Sequence, residues 1–493
     1  MLRHPHRALL VPLIAPLRIS LGVGLAIAAL ALPAGCETAQ TITDPVATLN
    51  QPGLPGRDYL AAMAVGDRNP DDPNYRTVLR RVVVNPGYVI EGRRAAYARL
   101  REIDPQGLAE TLTINLPKMD AVEWRRELCE RIAKEQWREM TPTLVRAWAA
   151  SVPAWAKLGK ERPERLAIAA MYGEDKVVDA LLETFAAANP LTQTNLRSRC
   201  WQLLLLEGQE ARLRELLADE SRASRDPMLR DIRAGVVDLG VLPRTREEIL
   251  WIQALRGEAN RGFWTEATAA VAKLSPERRA TLELRDIPVA VNAARFAPEL
   301  LTASDRELES MIVNASGGSD RRVHSPDFEG YGNDFSERLA AHRAKLLWGD
   351  YAAMVLALEA VSVPQVLAHL FEVGDRDLAD RASELGGMLS SDAQGRYEFV
   401  EYPSRTRGND ARYEAPQALM DALYTGLFHV HFHAQAYDGR RYAGPHMGDF
   451  EFADSTRLNG LVLTFLDSNR LNLDFYRYGK VVVDLGVIER PSR

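Results

Sequence analysis

The sequence predicts a multidomain protein in which an α-helical repeat region precedes an α+β domain with a mixed sheet. Two observations carry this prediction. From about residue 60 to 310, apolar residues recur at helical spacing, and proline or glycine breakers separate the periodic segments. After about residue 335, one long helical pattern gives way to short apolar or alternating runs bounded by turn residues, which is typical of strands. Helices beside such a sheet indicate the α+β class.

The first 36 residues have the composition of an export signal. Three arginines and no acidic residue precede an apolar run at Ile19–Leu32, and Pro33-Ala34-Gly35-Cys36 follows it. The Ala-Gly-Cys ending resembles that of a bacterial lipoprotein signal, and this resemblance implies lipidation of Cys36. The alternative is an uncleaved N-terminal anchor helix, for which the apolar run is short. Both interpretations predict an exported protein anchored to a membrane, on its periplasmic or cell-surface side.

The charge and the cysteine content argue against two classes of protein. Loss of residues 1–35 removes three arginines and no acid, so the formal net charge changes from −6 to −9. A mildly acidic chain does not favour nucleic acid as a partner. Besides Cys36 there are only Cys129 and Cys200, which is too few for a disulfide framework. One bridge between them and two buried free thiols are the alternatives.

Residues 37–60 are predicted to be a tether, because they contain threonine, glutamine, proline and glycine with little periodicity. Residues 60–312 are predicted to form helices in pairs that start near 93, 121, 163 and 192. This pairing resembles HEAT-like repeats, which implies an α-solenoid whose concave surface binds a protein or peptide partner. An irregular helical bundle is the alternative. Five tryptophans are expected to pack between these helices rather than bind a ligand: Trp124, Trp137, Trp148, Trp155 and Trp201.

The C-terminal part is predicted to be a separate domain. Residues 313–334 are rich in glycine, serine and aspartate and are predicted to be a linker, and residues 335–490 are the domain. Residues 335–373 are predicted to be helical, and a second helix is expected at 416–424. The predicted strands are Glu384–Ser390, Tyr397–Tyr402, Gly426–His433, Leu461–Leu466, Leu471–Tyr476 and Lys480–Val487. The last two are expected to form a hairpin around Tyr478-Gly479.

The histidines of this domain indicate a metal site. Four of the nine histidines of the chain lie in one short stretch: His429, His431, His433 and His446. The first three alternate with apolar residues, so on a strand they lie on one face. Asp449 follows after a Gly-Pro turn. Two histidines and a carboxylate are a common ligand set for a catalytic zinc that keeps one position open for water. Ordinary polar residues on an exposed sheet face are the alternative.

Three segments together resemble the site of JAMM (MPN-type) zinc peptidases. They are Glu384-Leu385-Gly386-Gly387 at the start of a strand, His431-Phe432-His433 on the next histidine-bearing strand, and His446-Met447-Gly448-Asp449 after it. The family pattern is Glu-x-Gly-Gly, His-x-His and Ser-x-x-Asp, and the resemblance covers about residues 335–490. It implies one zinc per chain, held by His431, His433 and Asp449, with Glu384 as general base rather than ligand. His429 is a candidate partner in the shell around the metal.

The sequence departs from the family pattern at three places. His446 replaces the family serine, whose hydroxyl helps to hold the oxyanion, and Ala434 stands where the family has proline. Fifteen residues separate His433 from Asp449, which is more than is usual in the family. His446 is therefore expected either to polarise the substrate carbonyl or to join the metal and close the site, which would make it structural. A cupin, with Asp438 in place of its usual glutamate, is the other metal fold with a His-x-His strand.

Three functions follow as hypotheses. The first is a membrane-tethered, exported zinc hydrolase of peptide or isopeptide bonds whose helical array recruits substrate. The second is a non-catalytic scaffold or binding lipoprotein with a degenerate JAMM-like domain. The third is a helical-repeat interaction protein whose histidine cluster binds no metal. Zinc content separates the third hypothesis from the others, and hydrolysis that depends on Glu384 separates the first from the second.

Overall fold

The computed structural model describes residues 42–150, 159–316, 336–392, 394–408, 413–439 and 443–492. The predicted export signal with Cys36, most of the predicted linker and Trp155 lie outside these ranges. Within them, 23 α-helices and six strands occur, and the sheet follows the helical region along the chain. The predicted order of a helical region and then a domain with a mixed sheet is therefore confirmed.

Eighteen of the helices precede the sheet domain in the described ranges. They are α1 (Pro45–Leu49), α2 (Gly56–Gly66), α3 (Pro73–Val84), α4 (Ile90–Ile103), α5 (Pro105–Asn115), α6 (Val122–Lys134), α7 (Thr141–Trp148), α8 (Pro163–Tyr172), α9 (Val177–Ala187), α10 (Thr194–Leu206), α11 (Glu210–Ala218), α12 (Glu220–Arg225), α13 (Pro227–Leu239), α14 (Arg246–Leu255), α15 (Arg261–Val271), α16 (Pro276–Arg279), α17 (Asp286–Phe296) and α18 (Asp305–Ala315).

Two of the prolines that break the sequence periodicity begin helices in the structure. Pro105 and Pro163 are the first residues of α5 and α8, where a missing N–H costs nothing and the fixed φ suits the helix. Side chains complete several of these starts. Asp104 accepts the N–H of Gly107, and Thr245 forms a capping box with Glu248 at the start of α14.

The buried apolar side chains of the described residues form two large clusters that divide the chain near residue 240. The first cluster begins at Leu49 and includes Tyr59, so the packed helical region starts within the stretch predicted to be a tether. The second cluster begins at Leu239 and continues into the sheet. Helices on both sides of the predicted linker at 313–334 thus share one core. The sequence did not indicate this, because α17 is buried on nearly all sides and gives no one-sided periodic pattern.

The tryptophans and cysteines of the helical region are packing residues. The four described tryptophans of the predicted set are buried: Trp124, Trp137, Trp148 and Trp201. The indole N–H of Trp124 donates to the carbonyl of Val83. Cys129 and Cys200 are buried free thiols, which decides between the two alternatives left by the sequence.

The C-terminal elements follow closely on one another. The helices are α19 (Leu339–His342), α20 (Trp348–Ser362), α21 (Pro364–Ala379), α22 (Gln417–Leu423) and α23 (Met447–Thr456). The strands are β1 (Gly386–Ser391), β2 (Tyr397–Glu401), β3 (Phe428–His433), β4 (Asn459–Asp467), β5 (Arg470–Arg477) and β6 (Val481–Glu489). The six strands and α22 lie where the sequence predicts them, whereas α23 was not predicted.

The sheet is mixed, with the order β2-β1-β3-β4-β5-β6. β3 and β4 are parallel, and the other four neighbouring pairs are antiparallel. The predicted β5–β6 hairpin is present, and Gly479 has the positive φ of 72° that its turn requires. Since parallel neighbours need a crossover connection, the chain between β3 and β4 crosses the sheet and contains α23.

The two faces of the sheet are covered differently. On one face, β-strand residues such as Phe432 and Phe465 join Phe371 of α21 in the large second core. On the other face, Phe450 and Ala453 of α23 form a small apolar cluster with three residues of β4, β5 and β6: Val462, Tyr476 and Val482. This second face also bears the histidines of β3.

Within the described residues, no single helix is long and apolar enough to cross a membrane, although α20 and α21 meet the length and composition test as a pair bent by 85°.

Candidate metal centre

Strand β3 fixes three histidines on one face of the sheet. Its sequence alternates histidine with phenylalanine and valine, and the apolar set faces the second core. A shift by one residue would bury the histidines in that core, so the pattern determines the register. β1 and β4 flank the strand, and residues of α23 such as Asp449 and Phe452 contact its histidine face. The exposed fractions of His429, His431 and His433 are therefore only 5%, 1% and 1%.

Helix α23 brings the carboxylate to these histidines. His446 is the N-cap residue, and its backbone N–H donates to Oδ2 of Asp449 at 2.6 Å. Asp449 therefore lies in the first turn of a helix that was not predicted from the sequence. The signal was present in the sequence, since a polar residue after Gly-Pro with an acid three positions later is a helix N-terminus pattern.

The predicted ligands lie close together. Nε2 of His431 is 3.2 Å from Oδ1 of Asp449, and Nε2 of His433 is 3.7 Å from Oδ2 of the same carboxylate. One ligand atom from each of the three residues lies within 4.8 Å of the other two, and no other group among the described residues meets this condition.

This donor set fits zinc in type and spacing. Two ligands of a tetrahedral zinc are about 3.3 Å apart when each metal–ligand bond is about 2.0 Å. Both ring nitrogens of His431 are buried without a directed hydrogen bond among the described residues, so the approach to Asp449 is a contact that a cation would bridge.

The charges of the cluster shift the pKa values of its members. Burial alone would raise the pKa of Asp449, but the neighbouring imidazoles of His431 and His433 hold it well below its usual range. Burial alone would lower the pKa of His431, but the Asp449 carboxylate raises it above its usual value. In the metal-free protein the pair therefore favours an ionised carboxylate beside a protonated imidazole.

His429 lies beside the ligand cluster rather than in it. Its ring stacks on that of His431 with centroids 5.4 Å apart, and it contacts the rings of Tyr413 and Phe452. Neither ring nitrogen has a hydrogen-bond partner among the described residues. Burial, and then the charge of His431, lowers its pKa to about 3, so the ring is neutral. His429 thus contacts a predicted ligand through ring stacking and donates no hydrogen bond to it.

Glu384 reaches the same site from the start of β1. Its side chain is buried, and the neighbouring Leu385 carbonyl accepts the N–H of Phe432, which places the two chain segments side by side. Close packing against neighbouring strands explains why the two residues that follow are glycines. A Cβ on Gly386 would lie 2.8 Å from the carbonyl oxygen of Val430, and one on Gly387 would lie 2.2 Å from that of Val400.

His446 packs against a predicted ligand. Its ring centroid is 4.0 Å from that of His433. The contact with Asp449 at the start of α23 is made by the backbone N–H of His446 and not by its ring. The imidazole therefore lies at the edge of the site, beside His433 and along the cavity wall.

All six predicted side chains line one cavity of about 420 Å³. Its described lining consists of Glu384, Tyr413, Ala415, His429, His431, His433, His446, Gly448, Asp449, Glu451 and Phe452. Sequence reasoning missed Tyr413, Glu451 and Phe452. The last two follow from helical spacing once α23 is recognised, whereas Tyr413 has no local signal. Asp438, which a cupin-like site would use, is exposed and is not part of this lining.

Comparison of the chain with protein-family models, with curated proteins and with solved structures finds no match.

Proposed function

We propose that the chain is a JAMM-like zinc hydrolase of peptide or isopeptide bonds that is exported and tethered to a membrane by its N-terminal segment. The observation that carries the proposal is the meeting of His431, His433 and Asp449 within 4.8 Å in a cavity that Glu384 also lines. The cavity gives a substrate access to this cluster, as a catalytic metal site requires.

The residues around the cavity would divide the chemistry between them. His431, His433 and Asp449 would hold the zinc, which when bound lowers the pKa of a water and polarises a carbonyl. Glu384 lines the same cavity outside the ligand cluster, and its carboxylate would take the proton of the attacking water and pass it to the leaving amine. A ring N–H of His446 would donate to the carbonyl oxygen of the scissile bond, in place of the family serine hydroxyl.

The helical region is proposed to recruit a protein or peptide substrate as a HEAT-like array. Successive helices pack on one another, α3 on α4, α7 on α8 and α9 on α10, which supports a repeated arrangement. The array is joined firmly to the sheet domain, since Ile249 of α14 lies in the first core and Trp251 in the second. The indole N–H of Trp251 also donates to the carbonyl of Tyr424 at 2.7 Å.

A non-catalytic scaffold with a degenerate site is the second candidate. The observation that favours it is the ring of His446, which lies against His433 where the family has a small hydroxyl side chain. As a fourth ligand His446 would close the coordination sphere, and closed zinc sites are structural.

Metal analysis of residues 37–493 tests the proposal. We expect about one zinc per chain in the wild type and none in the His431→Ala/His433→Ala variant. Hydrolysis of peptide or isopeptide substrates that Glu384→Gln abolishes, with zinc retained, would establish the enzyme and exclude the scaffold. A wild-type protein that stays metal-free after zinc is supplied would contradict the hydrolase and would leave a tethered helical scaffold with a degenerate C-terminal domain.

A further inference from the structure

Helix α23 is held at both ends. Asp449 lies in its first turn, and Arg457 caps its C-terminus in the left-handed conformation with a φ of 59°. With a rise of about 1.5 Å per residue, the two residues are about 12 Å apart along one stiff element. A displacement at the Arg457 end therefore moves Asp449 relative to the histidines of β3.

The side chain of Arg457 contacts three residues from three separate segments. Its Nη2 donates to Oε1 of Glu283 at 2.8 Å, and its Nε lies 3.5 Å from Oε1 of Glu248. The guanidinium carbon lies 3.5 Å from the ring centroid of Tyr478. The hydroxyl of Tyr478 also donates to Glu283, so both groups converge on one carboxylate. Although burial opposes ionisation, Arg285 and Arg457 together hold the pKa of Glu283 below its usual value.

An arginine is an unusual choice for this backbone conformation. The left-handed residue after a helix is most often glycine, which lacks the Cβ that is strained there. The backbone N–H of Arg457 donates to the carbonyl of Ala453, and glycine would make the same bond. The backbone alone does not explain the arginine, whereas the contacts of its side chain do.

The middle of α23 contributes three apolar side chains to the packing. Phe450 and Ala453 belong to a cluster of five buried residues on the sheet, and Phe452 packs against the second core. Gly448 and Glu451 are exposed to solvent. The contacts of Arg457 add a polar attachment at the C-terminal end of the helix, opposite the end that bears Asp449.

We infer that Arg457 is a positioning residue that keeps Asp449 in register with His431 and His433 and that couples the helical array to the metal site. Glu248 belongs to α14, the helix in which the two cores meet. A partner that displaces α14 on binding the array thereby changes the metal affinity of the site. The inference rests on the proposed function, because it takes Asp449 as a metal ligand.

Zinc affinity of residues 37–493, measured by competition with a chromophoric chelator, tests this inference. Arg457→Gly keeps the helix end and relieves its backbone strain but deletes the side-chain contacts. We expect a 10- to 100-fold loss of affinity, the range for residues that orient metal ligands, and a smaller loss for Arg457→Lys. Unchanged or tighter binding in Arg457→Gly would overturn the inference, because ending the helix would then be the only role of this position.

Two further variants separate positioning from general stability. Arg457→Gly/Glu283→Gln also removes the carboxylate that loses one of its two arginine partners in the single variant, and should show the same loss of affinity. Arg125→Met/Glu164→Gln removes a fully buried ion pair in the helical core and should lower the melting temperature without changing zinc affinity. Equal losses of affinity in this control and in Arg457→Gly would overturn the inference. A wild type without zinc would remove the proposed function itself.

Discussion

Nε2 of His431 lies 3.2 Å from Oδ1 of Asp449, although the two residues come from a central strand and from the helix of a crossover connection. The alternation of β3 places the histidine on the face of the sheet where α23 packs, and the N-terminus of α23 presents the carboxylate to it. Each element is stable for reasons of its own. The strand packs its apolar face in the second core, and Asp449 accepts the backbone N–H of His446 at the start of the helix. The metal site therefore depends on the relative position of two elements rather than on one local motif.

Asp449→Asn is expected to weaken zinc binding more than about 100-fold, beyond the effect of residues that only orient ligands. The amide keeps the size of the side chain but loses the charge that faces the two imidazoles. Chelator competition measures the change. Glu451→Gln is the matched control, because Glu451 is an exposed carboxylate two positions along the same helix. The zinc affinity of this variant should equal that of the wild type. Similar losses in the two variants would contradict the assignment of Asp449 as a ligand.

The His431–Asp449 pair should stabilise the metal-free protein in a defined pH window. The contribution from His431, whose pKa is raised, is complete below the unfolded value of about 6.5 and is lost as pH rises through the folded pKa. The contribution from Asp449, whose pKa is depressed, is complete above about 3.9 and is lost on acidification through the folded pKa. The pair is therefore at full strength between about pH 4 and 6.5.

Urea unfolding of the wild type and Asp449→Asn, both metal-free, checks this window. The free-energy cost of the substitution should be larger at pH 5.5 than at pH 9, because His431 loses its proton as the pH rises through its folded pKa. A cost that does not change with pH would show that the pair is not charged. When zinc is bound, the stability that the wild type gains from the protonated His431 should disappear, because metal binding requires the deprotonated imidazole.

Local patterns predicted the elements of the site better than their assembly. The alternation in β3 and the Glu-x-Gly-Gly segment placed four of the six predicted side chains on strands or at strand ends without any tertiary information. The sharing of one core by α17 and the sheet was not predictable in the same way, because a helix buried on all sides shows no periodicity. Tyr413 enters the cavity from a segment that lacks regular structure, so its position depends on contacts distant in sequence, such as the hydroxyl bond to the carbonyl of Tyr402.

The glycines of the Glu-x-Gly-Gly segment should be intolerant of a methyl group for steric reasons. In Gly387→Ala the new Cβ would lie 2.2 Å from a backbone oxygen of β2, which cannot move without breaking the strand pairing. We expect a loss of about 1–3 kcal/mol in the free energy of unfolding. Gly448→Ala is the matched control, since no atom lies within 4 Å of its Cβ and the residue is in the exposed first turn of α23. The Gly448→Ala variant should gain up to about 1 kcal/mol in the free energy of unfolding. If urea unfolding showed Gly387→Ala to be the more stable of the two variants, the close packing of Gly387 would be contradicted.

His429 should make the metal-free protein sensitive to acid. Its pKa is about 3 in the folded protein because burial disfavours the charged ring, and about 6.5 when unfolded. Between these values the unfolded state binds a proton that the native state does not, so stability falls as pH falls below about 6.5. From pH 6.5 to pH 5 the loss is about 2 kcal/mol, at about 1.4 kcal/mol for each pKa unit.

His429→Phe removes this proton and keeps a ring between Tyr413 and Phe452. The variant should therefore gain about 2 kcal/mol relative to the wild type on going from pH 8 to pH 5, as measured by urea unfolding with zinc absent. The substitution also tests the role of His429 at the metal. Zinc affinity close to that of the wild type is expected, because the structure places His429 beside the three ligand atoms and not among them. A large loss of affinity would make His429 a fourth ligand and would favour a closed, structural site over an open catalytic one.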